Sequence, residues 1–584
     1  MSSQRDRRLL LWLGGAVVVL QGVILLAVFQ PSPHSGGDNA AYIALAHALV
    51  EGKGYVELWE PGAPAHAKYP PVFSAVLAGA ILLGAVTWSH LKVISVLFVS
   101  LSVLLTFAWV HGRRGPAFAA TVALLIVLSD AFLSASHWVL SEPPFVAFVL
   151  LALWAADRVG PGWWKDGEDP PPADPQRATA WIAVAGAAAL LAYFTRGAAL
   201  PLLLTFLLWL GLRRAWKPLA AALLLFLLPA GLWWARVRRV GEDDYASEFW
   251  MVDPYRPEAG EAGIADLIAR MGANLQGYVG VYFPEGLVGA RGWLPALLGI
   301  ALALAALLGW IRRVRRGPGL AELFLPFYSG LILLWPEVWS GDRFALPLYP
   351  LLLFYGGETV VDSARAVGRR VSGRGGRMLP YAAGAGAALL FAVPALGGWM
   401  ERVETTSLCR AQVERAGVWS CHPPPVHEFA AAARWSGAHL PDGAVVVSRK
   451  PRIFYLLSGT PSRMFPMSAN PDLLFAELEA SGASYVLLDW VDGVGFRYLQ
   501  PAVGARVEAF CHLAAWGGRE EAQTNLLGVL DAEERPRPGA ARREGDSVLL
   551  DSCPDHFVRA DPGRTLEDDG RIPLLSGYLL GRDP

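Results

Sequence analysis

Apolar residues in this chain come in long unbroken runs. Eleven stretches, near residues 9–29, 91–110, 116–134, 143–158, 178–194, 198–212, 218–235, 292–311, 320–337, 344–358 and 378–397, read as membrane-spanning helices, because about 20 apolar residues cross the hydrocarbon core. A further apolar segment, 72–87, is shorter and interrupted by Ser74, two glycines and Thr87; it predicts a helix lying in the membrane plane or re-entering it. Between 240 and 291 the pattern changes. Ile264, Leu267, Ile268, Met271 and Leu275 recur at helical spacing, an amphipathic stretch suited to the interface that would either lid a site or shield the bundle. Beyond residue 400 the long runs stop. Ala444–Val447 and Tyr485–Leu488 read as buried strands, with a helix over 471–481 between them, the alternation of a small α/β domain. The expected architecture is an α-helical polytopic membrane domain over 1–400, of about eleven spans plus in-plane helices, followed by a soluble α/β domain over 401–584.

Composition supports the membrane assignment. Of 584 residues, 54% are hydrophobic and 17% charged, against about 25% charged in an average soluble protein. Too little polar surface is present to cover a large helical protein in water, which excludes that class. The net charge of −1 says nothing as a total; its distribution does. Basic clusters at Arg5–Arg8, Arg113-Arg114, Arg158 to Arg177, Arg213-Arg214 with Lys217, Arg312–Arg316 and Arg365–Arg377 mark cytoplasmic loops. Eleven spans with 72–87 left uncrossed put all of them on the inner side, with the N-terminus cytoplasmic. Only Arg236, Arg238 and Arg239 fall outside. The first run continues into Gln30-Pro31-Ser32-Pro33 without a small-x-small cleavage site, so it is expected to stay as an uncleaved span. Loop 159–177, with Pro170-Pro171-Pro172, reads as a cytosolic Pro-rich linker.

The cysteines bear on the same topology. Cys409, Cys421, Cys511 and Cys553 all follow the last span, which suits an extracytoplasmic domain where disulfides persist. Four cysteines allow three pairings, and proximity in sequence favours Cys409 with Cys421 and Cys511 with Cys553.

This topology gathers polar groups from distant segments on the outer side: Asp38, Lys68, Ser141-Glu142, Arg196 and Arg343. Each also has an ordinary structural reading. Asp38 before Asn39-Ala40-Ala41-Tyr42 suits a helix N-cap, and Lys68-Tyr69-Pro70-Pro71 a loop entering a helix. Ser141-Glu142-Pro143-Pro144 suits a capped helix start. Arg196 and Arg343 either snorkel or grip a phosphate diester. No HExxH, Walker loop, GxSxG or zinc spacing is present, no glycine-rich phosphate loop follows the first soluble strand, and no internal repeat stands out. Nothing points to nucleic acid.

Taken in chain order, these segments resemble the GT-C glycosyltransferases, most nearly the branch of the protein O-mannosyltransferases and lipid A aminoarabinose transferases. The resemblance rests on Asp38 after the first span, the helix from Tyr42 to Gly54, and Lys68-Tyr69-Pro70-Pro71. It continues in Ser136-His137-Trp138-Val139-Leu140-Ser141-Glu142 and Arg343-Phe344-Ala345-Leu346-Pro347-Leu348-Tyr349-Pro350, and spans about residues 9–360. It implies an outward-facing active site, a polyprenyl-phosphate sugar as donor substrate, and inverting transfer to a glycan, lipid or protein acceptor. Asp38 would be the base that deprotonates or orients the acceptor hydroxyl. Lys68 and Arg343 would hold the donor phosphate, with Tyr42, Tyr69 and Arg196 completing the substrate site. Glu142 would be a second catalytic acid, at a position the family often fills with Asp. No cofactor is expected; some members use a divalent metal, but Asp38 and Glu142 are the only good ligands here, so a metal is not favoured. Membrane lipids are the remaining partners. Two other readings compete: a transporter or flippase of lipid-linked sugars, and a non-catalytic scaffold whose outer domain binds envelope glycans.

Overall fold

In the computed structural model of the chain, each apolar run becomes helix. The structure describes residues 2–160, 175–241, 245–371, 373–518, 523–535, 542–544, 547–563, 565 and 567–575. The Pro-rich part of the 159–177 loop lies outside them.

The helices are α1 (Ser2–Val28), α2 (Gly37–Val50), α3 (Val72–Leu82), α4 (Trp88–Arg114), α5 (Pro116–Leu128), α6 (Asp130–Ala135), α7 (Glu142–Arg158), α8 (Pro175–Thr195), α9 (Leu200–Leu212) and α10 (Trp216–Val240). They continue as α11 (Tyr245–Phe249), α12 (Ile264–Gly277), α13 (Phe283–Val288), α14 (Trp293–Val314), α15 (Leu320–Leu334), α16 (Asp342–Ala345), α17 (Tyr349–Gly368) and α18 (Arg374–Ala416). Among the described residues, five helices (α4, α8, α10, α14 and α18) are long and apolar enough to cross a membrane by themselves.

Two runs break where the sequence pattern did not mark it. The 116–134 stretch divides at Ser129, whose backbone is extended (ψ 133°). The 344–358 stretch begins in α16, breaks over 346–348 and resumes as helix from Tyr349, where Pro347 removes an amide donor from the intervening turn and Pro350 is tolerated in the first turn of α17. Segment 72–87 forms α3, an 11-residue helix reaching about 16 Å, short of the roughly 30 Å core. It buries Phe73, Leu77 and Ile81 and exposes Leu82 and Leu83.

Helix α18 runs unbroken for 43 residues, through position 400, and delivers Cys409 to Cys421; the second disulfide joins Cys511 and Cys553. After α18 come α19 (Pro424–His439), α20 (Pro451–Ser458) and α21 (Pro471–Ser481), with strands β1 (Val446–Val447), β2 (Ser462–Arg463), β3 (Tyr485–Leu488), β4 (Phe510–Trp516) and β5 (Thr524–Val529). The sheet order is β2-β1-β3-β5-β4. Strand β1 lies parallel to β2 and β3, with Val446 opposite Ser462 and Tyr485, whereas β5 is antiparallel to β3 and β4. The parallel pairs need helical crossovers, supplied by α20 and α21.

This C-terminal part shares a core with the segment between α1 and α4. Helix α2 is apolar on nearly every face and buried from Asn39 to Ala48, as expected of a helix enclosed on all sides. Its alanines let α20 approach, and Phe454, Leu456 and Leu457 join Ile43, Leu45 and Phe73 in one apolar cluster. Backbone bonds secure the junction: Ser462 N to Trp59 O at 2.8 Å and Ile572 N to Val86 O at 2.9 Å.

At the other end of the bundle, Arg113, Arg114 and Arg313 meet Asp157, Glu322, Glu358 and Asp362. The discordant arginine Arg236 lies instead with the segment between α1 and α4, donating to the carbonyls of His66 at 3.0 Å and Tyr55 at 2.7 Å. Helix α12 coincides with the amphipathic stretch but turns its polar side inward. Ile264, Ile268 and Leu275 are exposed, while Arg270 donates to Phe249 O (2.9 Å) and Met251 O (2.6 Å), and Asn274 Nδ2 to Trp335 O (2.8 Å).

Candidate active site

Asp38 sits in the first turn of α2, but it does not cap it; Gly36 holds the cap position, without a side-chain bond. The approach to α2 is fixed from both sides. His34 Nδ1 accepts from Gly36 N at 2.9 Å and lies 2.9 Å from Asn39 Nδ2. Asn39 Oδ1 in turn accepts from Val139 N at 2.8 Å, tying the start of α2 to the segment between α6 and α7. Burial, helped by the Arg343 charge, pushes His34 down to about 4, so the ring is neutral and can accept.

Tyr69 is aimed by a second relay. Glu57 Oε1 lies 2.6 Å from His66 Nδ1, and His66 Nε2 accepts from Tyr69 N at 2.8 Å. The His66 and Tyr69 rings stack with centroids 5.2 Å apart. Thus oriented, the Tyr69 hydroxyl donates to Asp38 Oδ1 at 2.8 Å.

The other predicted residues converge on the same place. Arg343 Nη1 lies 3.6 Å from Asp38 Oδ2, and its Nε 3.6 Å from Glu142 Oε1. Arg196 Nη1 is 2.9 Å from Glu142 Oε1 and donates to Ser141 Oγ at 3.1 Å. That hydroxyl also accepts from Tyr42 at 2.9 Å. Lys68 pairs with Glu248 of α11 at 2.5 Å. Asp38, Tyr42, Lys68, Tyr69, Arg196 and Arg343 all line one cavity of about 610 Å³. Glu142 does not line it. With 1% of its side chain exposed, it lies behind the two arginines and holds their forks towards the cavity.

One residue escaped the sequence reading. Arg452, at the start of α20 in the C-terminal part of the chain, also lines the cavity. It donates to the Tyr69 hydroxyl at 2.9 Å and lies 3.8 Å from Asp38 Oδ1. The signal was the basic run Arg449-Lys450-Pro451-Arg452 directly after the first soluble strand, since strand ends that turn into helices are where α/β sheets place their sites. Burial alone would raise the Asp38 carboxyl, but Arg343, Arg452, the Tyr69 hydroxyl and Arg196 outweigh it and hold it below the ordinary carboxylate value.

The cavity also has an apolar wall. Met251, Leu331, Ile332, Trp335 and Trp339 line the cavity with the charged groups, Phe344 lies under the guanidinium groups of Arg196 and Arg343, and Arg270 and Asn274 of α12 bond the backbone of Met251 and Trp335. The cavity therefore joins an ionised carboxylate and a group of cations to an apolar surface. Arg343 stands between Asp38 and Glu142, the two candidate metal ligands. Among the described residues no three His, Cys, Asp or Glu side chains gather in a metal-binding group.

No family model and no curated protein sequence matches this chain. Solved structures do. The chain is similar to the archaeal oligosaccharyltransferase AglB from Archaeoglobus fulgidus, solved in complex with an inhibitory peptide and a dolichol-phosphate. The TM-score is 0.53 and the identity 14%, over 90% of this chain and 75% of that one. It is also similar to ArnT from Cupriavidus metallidurans bound to undecaprenyl phosphate, with TM-score 0.52 and 12% identity over 89% of this chain and 99% of that one. These are GT-C glycosyltransferases, and the chain has their fold.

Proposed function

We propose that this chain is an integral membrane glycosyltransferase, moving a sugar from a polyprenyl-phosphate-linked donor to an acceptor hydroxyl outside the cytoplasm. One observation carries the reading: Asp38 is held ionised at a cavity that also presents Lys68, Arg196 and Arg343 and an apolar wall. The likeness in fold to proteins solved with dolichol-phosphate and undecaprenyl phosphate supports it.

In the reaction, Asp38 takes the proton of the acceptor hydroxyl as that oxygen bonds to the anomeric carbon of the donor. The bond from this carbon to the phosphate oxygen breaks, and its electron pair leaves with the polyprenyl phosphate. Arg343 and Arg196 take up the charge growing on the phosphate. Lys68 joins them by exchanging Glu248 for the phosphate. A single displacement of this kind inverts the anomeric centre of a hexosyl or pentosyl donor. Trp335, Trp339 and Ile332 suit the first isoprene units. Glu142 orients the arginines. Catalysis in this scheme needs no nucleotide. The acceptor is a protein, a lipid or an envelope glycan. A lipid-linked sugar transporter would place charges deep within several spans, whereas the charges here gather at span ends.

The test is mass spectrometry of envelope glycans from cells carrying the wild-type or D38N chain in place of the native gene. A glycoside should vanish with D38N while the protein persists in the membrane at wild-type level. Its persistence would remove Asp38 as the base. Purified protein that moves undecaprenyl phosphate between vesicle leaflets while making no glycoside would favour the transporter.

A further inference from the structure

We infer that Arg452, contributed by the soluble domain, is a positioning residue of the reaction centre: it fixes the direction of the Tyr69–Asp38 hydrogen bond and thereby the orientation of the base. The inference rests on the reading of Asp38 as that base. An arginine can only donate, and a phenol has a single proton. Arg452 Nη1 donates to the Tyr69 oxygen at 2.9 Å, so the phenol proton must point away from it, to Asp38 Oδ1 at 2.8 Å. That bond occupies Oδ1 and leaves Oδ2 turned to Arg343 and the cavity. Without Arg452, the Tyr69 hydroxyl loses the donor that defines its rotation.

The guanidinium has little slack. It lies over the rings of Trp59 and Tyr69, 5.3 and 5.5 Å from their centroids. The helix bearing it is anchored by Phe454, Leu456 and Leu457 in the apolar cluster shared with α2. Asp38 and Arg452 are therefore carried on two helices of one core, although they are far apart in sequence. The groups that act on Asp38 come from five segments: Arg343 from α16, Arg452 from α20, Tyr69 from the segment before α3, Arg196 from the end of α8, and the neutral His34 that precedes α2. The charge of Arg452 also favours the ionised carboxylate. On this arrangement the soluble domain is more than an appended acceptor reader, because the site is complete only when it is docked.

The test labels Asp38 with dicyclohexylcarbodiimide, which attacks protonated carboxyl groups, in full-length protein in lipid nanodiscs. Peptide mass spectrometry follows the adduct across pH. In R452Q the pH of half-labelling should rise by about one unit; in R452K, which keeps the charge but loses the fork, it should rise by less. Arg410 provides a control in the same part of the chain, since it holds that part to the first helix through the carbonyls of Leu26 and Phe29, outside the relay. An unmoved midpoint in R452Q overturns the inference. So does an equal rise in R410Q, which would assign the effect to loosened docking of the domain. No donor or acceptor enters this experiment, so its failure is distinct from failure of the transferase reading, which the D38N glycan comparison decides.

Discussion

Two ionic clusters sit at opposite ends of the bundle, and they differ in how their charges are paired. At one end, Arg113 holds Asp157 (Nη2–Oδ1 2.9 Å) and Glu322 (Nη1–Oε1 2.5 Å), and Glu358 accepts from Arg114 at 2.7 Å and Arg313 at 2.9 Å. Glu322 also takes the Tyr355 hydroxyl at 2.7 Å and Gly319 N at 2.9 Å. Each carboxylate there is closed off by short contacts, and α4, α7, α14, α15 and α17 are stapled together. At the other end, Asp38 is approached by arginines only at 3.6 and 3.8 Å, its side chain is 37% exposed, and it faces a cavity. Much the same residue types make a structural clasp in one place and a candidate reaction centre in the other. What separates them is saturation: a carboxylate whose lone pairs are filled can only hold, whereas one with an open oxygen can accept a proton.

Four experiments bear on this contrast. The largest effect is expected for D38N, which keeps the shape of the side chain and removes its basicity: kcat should fall about 10²–10⁴-fold while the protein still folds into the membrane. Next comes E322Q at the clasp. Removing the charge from a buried partner costs about 3–5 kcal/mol, so thermal stability and membrane yield should drop while the surviving protein turns over normally. If E322Q instead lowered kcat and spared stability, the division between clasp and site would be wrong. R343Q should weaken undecaprenyl phosphate binding by roughly ten- to a hundredfold, the worth of a charged hydrogen bond of about 1.5–3 kcal/mol; native mass spectrometry of the lipid complex measures it.

The smallest effect concerns pH. The folded Asp38 carboxyl lies below its unfolded value, so its contribution to stability is present above about pH 3.9 and is lost as pH falls through the folded value. Transfer activity should accordingly stay level from neutral to mildly acidic pH as far as this group is concerned. An acidic limb centred near pH 6 and abolished in D38N would contradict the depressed value.

Helix α12 carries the contrast into the membrane boundary. Its spacing marked an amphipathic helix, and left open whether it lids a site or shields the bundle. The structure has it bracing the apolar wall of the cavity through Arg270 and Asn274 while Ile264 and Ile268 face outward. Amphipathic periodicity gives two faces but cannot say which medium lies on each side.

Much of the architecture was legible because its cause is local. Runs of apolar residues must become helix in lipid, where an unpaired backbone amide has no partner, and two of the basic clusters expected on one side share an acidic partner, Arg114 and Arg313 both bonding Glu358. The inadequate length of 72–87, the shift to strand and helix alternation after residue 400, and the types of residue able to do transfer chemistry are likewise written in the order of the chain. The tertiary structure decided what depends on distance between remote segments. It placed Glu142 out of the cavity, buried against Arg196 and Arg343, and paired Lys68 with Glu248. It also brought Arg452 across 414 positions of sequence to within 3.8 Å of Asp38. No local pattern encodes that last contact. It exists because the alanine-rich α2 is narrow enough for α20 to pack upon it, a property of two surfaces meeting rather than of either segment alone.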